Sequence, residues 1–403
     1  MFFVSLSLFA QKKPLKISDF ADWNRIENRL ISPNGKFVAF EINKQKGDGL
    51  LIIYNVSQQK SDTIKYGYNA CFSPNSDYIA FSIKIPEDTL RKLKLAKTKK
   101  ELMPKDGLGV FNLLNRKFTQ FKNVKKFQMS EEQSNWLAFL KGVQASAKDS
   151  SGTKLNERTY NKQLNASKTT KPKEKYQLIV WEPVKNIRYT FYNADTFAVA
   201  KKSVEIAYVA KENDSTEQKS LILFHPLKHS SDTILRDSLT FKRITFDETG
   251  KQLAYLSSAD TASAKNYTLY YYSITKRYLS KVADTLTNAL PVSWAPSENG
   301  EVVFSKDGTK LYFGIAPKAK PELNDSMLVE ELPKLDLWSY TDAIIQPQQL
   351  MQLGRKKKQT YLAVYRINEK KCVQLADTAV EAVLLCNYKN AELRKEMKLY
   401  RFN

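Results

Sequence analysis

One short phrase recurs along these 403 residues and constrains the fold more than any other feature. It is a turn of Ser or Asp, Asn or Asp, and Gly, followed by an apolar strand ending in Ala and an aromatic. Its clearest copy is Ser32-Pro33-Asn34-Gly35-Lys36-Phe37-Val38-Ala39-Phe40, and a second is Ser73-Pro74-Asn75-Ser76-Asp77-Tyr78-Ile79-Ala80-Phe81. Later copies run over 130–139, 247–255 and 305–313, and Val204-Glu205-Ile206-Ala207-Tyr208 reads as a copy without its turn. The chemistry is local: Pro presets φ, Asn or Asp hydrogen-bonds the nearby backbone, and Gly takes the φ > 0 corner. The β-branched and aromatic residues that follow suit a pleated strand.

Each copy is followed by a second apolar strand closed by a polar turn. Examples are Leu50–Asn55, Gly109–Leu114, Leu178–Trp181, Leu221–Phe224, Leu269–Ser273 and Leu335–Ser339, with Tyr361–Tyr365 and Ala382–Cys386 continuing the style. Copies start at 32, 73, 130, about 202, 247 and 305, and the shorter gaps match one four-stranded propeller blade. A β-helix would need much shorter periods. The fold class expected is therefore all-β: a β-propeller of about six to eight four-stranded blades over 31–403, closed or nearly closed. Aromatics at 12 % favour the same structure, and 42 % apolar residues exclude wholesale disorder.

Two basic insertions break the rhythm. Residues 87–105 carry seven basic and three acidic residues with Leu90, Leu93 and Leu95, and read as a surface helix ended by Pro104. Residues 141–175 carry nine basic and three acidic residues and read as a long polar excursion. Residues 11–30 form an N-terminal segment in which Ser18 caps a short helix bearing Phe20 and Trp23. Residues 1–10 read as the remnant of a secretory signal, an apolar run from Phe2 to Ala10 without its basic n-region. A buried strand is the alternative for that run. Nine apolar residues fall short of the ~20 that cross a bilayer. Export, to the periplasm or beyond, is the expected location.

Little in the chain is written for chemistry. A nucleophile elbow needs Gly-x-Ser-x-Gly, and no two of the 13 glycines stand four apart. The two histidines, His225 and His229, lie in a strand running into a turn, where Pro226 argues against a helical metal site. Gly47-Asp48-Gly49 and Gly107-Leu108-Gly109 lack the rest of a dinucleotide fingerprint and read as turns entering strands. Cys71, Cys372 and Cys386 are too few and too scattered for a disulfide framework or zinc ribbon, and read as buried or half-buried thiols on strands. No residue is assigned to catalysis, to a cofactor or to a metal. The net charge of +22 reads as a solvated basic surface, with an acidic protein or a membrane surface as the partner it would suit. Nucleic acid is not expected, because the aromatics fall where strands need them for packing.

Three stretches resemble exported serine peptidases of the prolyl-oligopeptidase family. They are 16–24 followed by 30–40; Met103-Pro104-Lys105-Asp106-Gly107-Leu108-Gly109-Val110-Phe111 after a Lys-rich helix; and Leu335-Asp336-Leu337-Trp338-Ser339-Tyr340 followed by 361–365. The resemblance covers only the propeller half of that family. It implies a C-terminal α/β-hydrolase domain carrying Ser, Asp and His in that order, which is expected to be absent here. The expected role is the non-catalytic, substrate-gating propeller of such a peptidase, whose partners are a peptide substrate and the missing hydrolase domain. The alternative is a stand-alone periplasmic propeller that binds a protein or a glycan.

Overall fold

The middle strands of a propeller blade are covered on both faces, so they should read as unbroken apolar runs with no alternation. Tyr78–Ile83, Leu137–Gly142, Ile206–Lys211 and Gln252–Ser258 do so, and almost all their residues are buried. A computed structural model describes residues 16, 20, 23–99, 102–132, 135–143, 175–212, 218–261, 264–318, 338–385 and 392–395. Among these residues, six antiparallel sheets follow one another along the chain. The first is β1 (Asn24–Ile31), β2 (Phe37–Lys44), β3 (Leu50–Asn55) and β4 (Lys60–Lys65). The second is β5 (Gly67–Phe72), β6 (Tyr78–Ile83), β7 (Gly107–Asn112) and β8 (Phe118–Phe121). The third is β9 (Val124–Met129), β10 (Leu137–Gly142), β11 (Tyr176–Glu182) and β12 (Ile187–Phe191). The fourth is β13 (Ala194–Val199), β14 (Ile206–Lys211), β15 (Lys219–His225) and β16 (Ser230–Asp237). The fifth is β17 (Thr240–Phe246), β18 (Gln252–Ser258), β19 (Thr268–Ser273) and β20 (Tyr278–Ala283).

The sixth sheet differs. Its first strand is broken into β21 (Trp294–Pro296) and β22 (Val302–Phe304), both paired with β23 (Lys310–Pro317), beyond which lie β24 (Tyr361–Arg366) and β25 (Lys371–Gln374). The break is a second turn, Ser297-Glu298-Asn299-Gly300, that sequence reading passed over. It lies so close to β23 that a Cβ on Gly300 would stand 2.5 Å from the Cα of Gly314. A two-stranded hairpin, β26 (Ala382–Leu385) and β27 (Glu392–Lys395), follows. Sequential four-stranded antiparallel sheets, each a simple meander, make this an all-β protein built as a β-propeller of several blades.

The chain separates into two units, Met1–Phe127 with Pro183–Lys185, and Gln128–Glu182 with Asn186–Asn403. In the first, one core lies between the first and second sheets and holds Ala39, Leu51, Ile53, Ile79 and Phe81. In the second, three cores lie between successive sheets, centred on Leu178 and Tyr208, on Leu223 and Tyr255, and on Leu269 and Phe313. The alanine of the recurring phrase sits in these cores at Ala39, Ala138, Ala207 and Ala254. Ala39, Ala80, Ala138, Ala207 and Ala254 are all fully buried, because a small residue lets neighbouring layers close on the aromatic beside it.

The turn between the first and second strands is held by its opening residue. Ser32 Oγ accepts from Phe37 N at 2.9 Å and Ser73 Oγ from Tyr78 N at 3.1 Å. Asp247 Oδ1 does the same for Gln252 N at 2.7 Å, and Ser305 Oγ accepts from Lys310 N at 2.9 Å. A backbone bond runs back across the same five residues in each. Gly35, Gly250 and Gly308 take the left-handed corner, and Ser76 does so in the second sheet with φ 59°. The fourth sheet does have this turn, contrary to the sequence reading. Ala200 N donates to Glu205 O at 2.9 Å, but Ala200 has no side-chain acceptor, so the signature is invisible.

Other differences from expectation are local. The helix α1 covers Glu87–Leu95 and stops well before Pro104. Lys97 turns left-handed, and Thr98 N reaches Leu93 O at 3.0 Å, closing the helix end without proline. Leu335–Ser339 was expected as a strand. Its described part, Trp338 and Ser339, is irregular and lies outside any strand, and β24 pairs with β23 in the sheet. Ser18, residues 1–10, most of 141–175 and Cys386 lie outside the described residues. Phe20 and Trp23 are described, exposed, and packed on each other with ring centroids 4.6 Å apart.

Replacing Ser73 or Asp247 by Ala leaves a buried strand N–H without its acceptor. We expect each to cost about 1–3 kcal/mol in urea unfolding. Leu114→Ser, at a turn residue that is exposed, should stay within about 0.5 kcal/mol. Equal effects from all three would contradict the role given to these turns.

Candidate functional site

Every sheet has two unlike ends. At one end lie the turns joining first to second and third to fourth strands, which are short and tied to their neighbours. Asn34 N donates to Ser76 Oγ at 3.1 Å in the first unit. In the second unit Ser130 Oγ donates to Lys201 O at 2.7 Å, Lys202 N to Glu248 O at 3.1 Å, and Gln252 Nε2 to Gly308 O at 3.0 Å. Lys202 also reaches the carboxylates of Glu132 and Glu248, both at 3.1 Å, which raises its pKa.

A second repeat stands at this end, in the third-to-fourth turns. Their last residue is left-handed in all six sheets: Gln59, Arg116, Asn186, His229, Arg277 and Lys370, with φ between 48° and 58°. A left-handed non-glycine residue costs about 1 kcal/mol or more, so something must hold it. In four cases its side chain meets the outer strand of the preceding sheet. Arg116 pairs with Asp62, Arg277 with Asp232 at 3.3 Å, and His229 Nδ1 with Tyr189 Oη; Lys370 stands 5.9 Å over the Tyr278 ring. The matching strands carry a signal that sequence reading missed, Ser61-Asp62-Thr63-Ile64 and Ser231-Asp232-Thr233-Ile234.

The opposite end carries the second-to-third loops, and every long insertion falls there. Those loops cover 45–49, 84–106, 143–175, 212–218, 259–267 and 318–360. Both basic insertions expected from the sequence, and α1, lie among them. The sequence locates the insertions; the pairing of strands places them on one end of the sheets.

In the first unit this end is organised around carboxylates, of which Glu41 is buried and Asp48 and Asp106 are half-buried. Glu41, at the loop end of β2, accepts from Asn69 N at 2.8 Å and Asn28 Nδ2 at 2.9 Å, and Asn43 Nδ2 donates to it at 3.2 Å. Asn28 and Asn69 are left-handed bulge residues in the two first strands, so one carboxylate fixes both bulges. Tyr68 Oη donates to Asp106 Oδ2 at 2.5 Å, and Lys84 Nζ lies 4.7 Å over the Tyr68 ring. Burial, helped by Asp106, pushes the Tyr68 phenol up to about 12. Asp48 caps the start of α1 by accepting from Glu87 N at 3.0 Å.

In the second unit the same end holds a cavity of about 350 Å³ lined by Leu239, Ser258, Asp260, Tyr267, Tyr270 and Lys318. Asp260 is held by Asn266 N at 2.8 Å, and burial together with Glu298 raises the Tyr267 pKa. A second cavity, of about 200 Å³, lies beside Asn266, Tyr267, Glu298 and Lys357. Hydroxyls, one carboxylate and one ammonium around such a space can hydrogen-bond a peptide or sugar group.

His225 ends β15 and is buried, its Nδ1 facing the Glu205 carboxylate and its Nε2 3.4 Å from Asp232 Oδ2. Burial raises the Glu205 pKa, and His225 opposes that rise. Both ring nitrogens thus face carboxylates, while His229 faces Tyr189 from the turn, so the two histidines do not converge. Among the described residues no group of three or more His, Cys, Asp or Glu is arranged to hold a metal. Gly47-Asp48-Gly49 lies in a loop, but Gly109 lies within β7, where a Cβ would strike the Phe81 ring at 2.3 Å. Cys372 is buried on β25, whereas Cys71 on β5 is exposed, a departure from the buried or half-buried reading. The strand β5 that carries Cys71 is half-open, with buried, half-buried and exposed positions along it.

No family model matches the chain, and no curated protein matches it. Among solved structures, Pyrococcus horikoshii acylaminoacyl peptidase is 10 % identical over 90 % of this chain and 48 % of that one, with a TM-score of 0.41. The β-propeller domain of the Trilobed protease from Pyrococcus furiosus is 11 % identical over 89 % of this chain and 88 % of that one, with a TM-score of 0.40. Oligogalacturonate lyase from Vibrio parahaemolyticus is 10 % identical over 87 % and 77 %, with a TM-score of 0.38. The chain spans about half the length of the acylaminoacyl peptidase it matches.

Burial lifts the Cys372 thiol to about 11, so at neutral pH it carries almost no thiolate. In a Cys386→Ser background we expect Ellman's reagent to titrate Cys71 within minutes and Cys372 only after urea is added. Two fast thiols in the native protein would contradict the burial of β25.

Proposed function

We propose that this chain is the non-catalytic propeller portion of an exported peptidase of the prolyl-oligopeptidase type, which admits unfolded peptides to a hydrolase domain. The observation that supports this reading is the division of labour within each sheet. One end is drawn shut by short interlocked turns, and the other is given over to long, polar, basic loops. A peptide passing or resting at that end meets backbone-like donors and acceptors, the cavity near Asp260 and Tyr267, and an excess of positive charge. Selection would be steric, with contacts from the loops, and needs no acid–base pair in this chain. The family likeness of the Met103–Phe111 stretch, which runs from the preceding loop through most of β7, points the same way.

The positive charge favours acidic peptides and makes their binding depend on salt. We expect labelled unstructured acidic peptides to bind in fluorescence anisotropy, to weaken several-fold between roughly 0.05 and 0.5 M NaCl, and to be preferred over a folded protein of similar charge. A fluorophosphonate probe should leave the purified chain unlabelled. A stoichiometric adduct would overturn the non-catalytic reading. Binding of folded proteins or acidic oligosaccharides with no peptide binding would favour the stand-alone binder instead. If the chain is exported as proposed, the protein recovered from the periplasm should begin at Gln11.

A further inference from the structure

The second-to-third loop of the sixth sheet holds a helix whose apolar arc is left exposed. This helix, α2 (Gln346–Lys356), has no buried residue. On its wheel Leu350, Met351 and Leu353, with Pro347 and Gly354, fall in one arc of about 160°, shared with Gln346 at the first turn. Ordinarily such an arc faces a core. Here Met351 is 87 % exposed and Leu350 56 %, while the half-buried positions of the helix are Gln346 and Gln352. On the polar side, Gln349 Nε2 donates to Ile344 O at 2.8 Å and to Asp342 Oδ2 at 3.2 Å, tying that side back to the preceding turn.

Two further features say what this face fits. Trp338 and Tyr340, just before the helix, are 70 % exposed and fully exposed. Such aromatics, apolar in body and polar at the tip, favour the boundary between water and lipid. Directly after the helix's apolar arc comes an unbroken basic run, Arg355-Lys356-Lys357-Lys358, on a chain whose net charge is +22. A short amphipathic helix with exposed Leu and Met, flanking aromatics and clustered cations is the pattern of a segment that lies in the surface of an anionic bilayer.

We propose that α2 docks the protein on an anionic lipid surface, with Leu350, Met351 and Leu353 entering the headgroup boundary and the basic run held by lipid phosphates. The membrane would be met from one side only, since no helix among the described residues is long and apolar enough to cross it. This docking is independent of peptide admission.

The test is co-sedimentation of the full chain with vesicles of phosphatidylcholine containing roughly one third phosphatidylglycerol. The wild type should sediment with them, and should bind vesicles of pure phosphatidylcholine at least about tenfold more weakly. Leu350→Asp with Met351→Asp should lower binding to the anionic vesicles about tenfold or more while leaving the thermal midpoint unchanged. Arg355→Ala with Lys356→Ala should lower it severalfold. No sedimentation, equal binding to neutral vesicles, or undiminished binding of the Leu350/Met351 variant would overturn the proposal. So would a lowered midpoint in that variant, which would show the face to be covered by the chain itself. Self-association of the lipid-free wild type that the variant abolishes would identify a second copy as the occupant and overturn it as well.

Discussion

A hydrogen bond from a strand's first N–H to a side-chain oxygen five residues back is the interaction on which this architecture depends. Ser32, Ser73, Asp247 and Ser305 each supply that oxygen, and the first three are buried. A buried serine or aspartate is tolerated only when its polar atoms are matched, and here the turn itself provides the match. The bond fixes where the second strand starts. Because side chains alternate, it thereby fixes which residues face each seam, and a slip of one residue would move the buried aromatics to the opposite face of the sheet. The fully buried alanines and the aromatic partners beside them follow from that register.

The same turns decide which end of a sheet is free to carry function. Within each unit they are linked from one sheet to the next, by Asn34 to Ser76 in the first and through Lys201, Lys202, Glu248 and Gly308 in the second. Residues inserted there would break these links. Insertions at the other end disturb only a hairpin loop, and loop closure costs little more as the loop lengthens. So α1 in the first unit, and α2 and the polar cavity near Asp260 in the second, each fall at the second-to-third end of their own sheets.

The fold was legible because one turn chemistry is repeated with little disguise. The phrase at 32, 73 and 247 names its own strands, and the apolar runs that follow name theirs. Legibility failed where the backbone keeps a shape that its side chains do not advertise. Ala200 closes the same turn as Ser73 through the backbone bond alone. Ser297–Gly300 looks like a new sheet but interrupts one, because Gly300 can press against Gly314. The left-handed position closing each third-to-fourth turn accepts Gln, Arg, Asn, His and Lys, so no single residue type marks it. Leu335–Ser339 has a strand's composition, yet its described end is irregular and β24 does the pairing. The site was less legible than the fold. Basic insertions could be counted in the sequence, but only the strand pairing shows that each joins the second and third strands of its own sheet, and nothing in the spacing of Glu41, Asn28 and Asn69 foretells their meeting.

Hydrogen–deuterium exchange read peptide by peptide tests the central claim most directly. The amides of Phe37, Tyr78, Gln252 and Lys310, with the strands they begin, should be among the slowest to exchange. The segments 84–106 and 338–360 should exchange fast. Rapid exchange at the turns alongside protection of those two segments would contradict the claim.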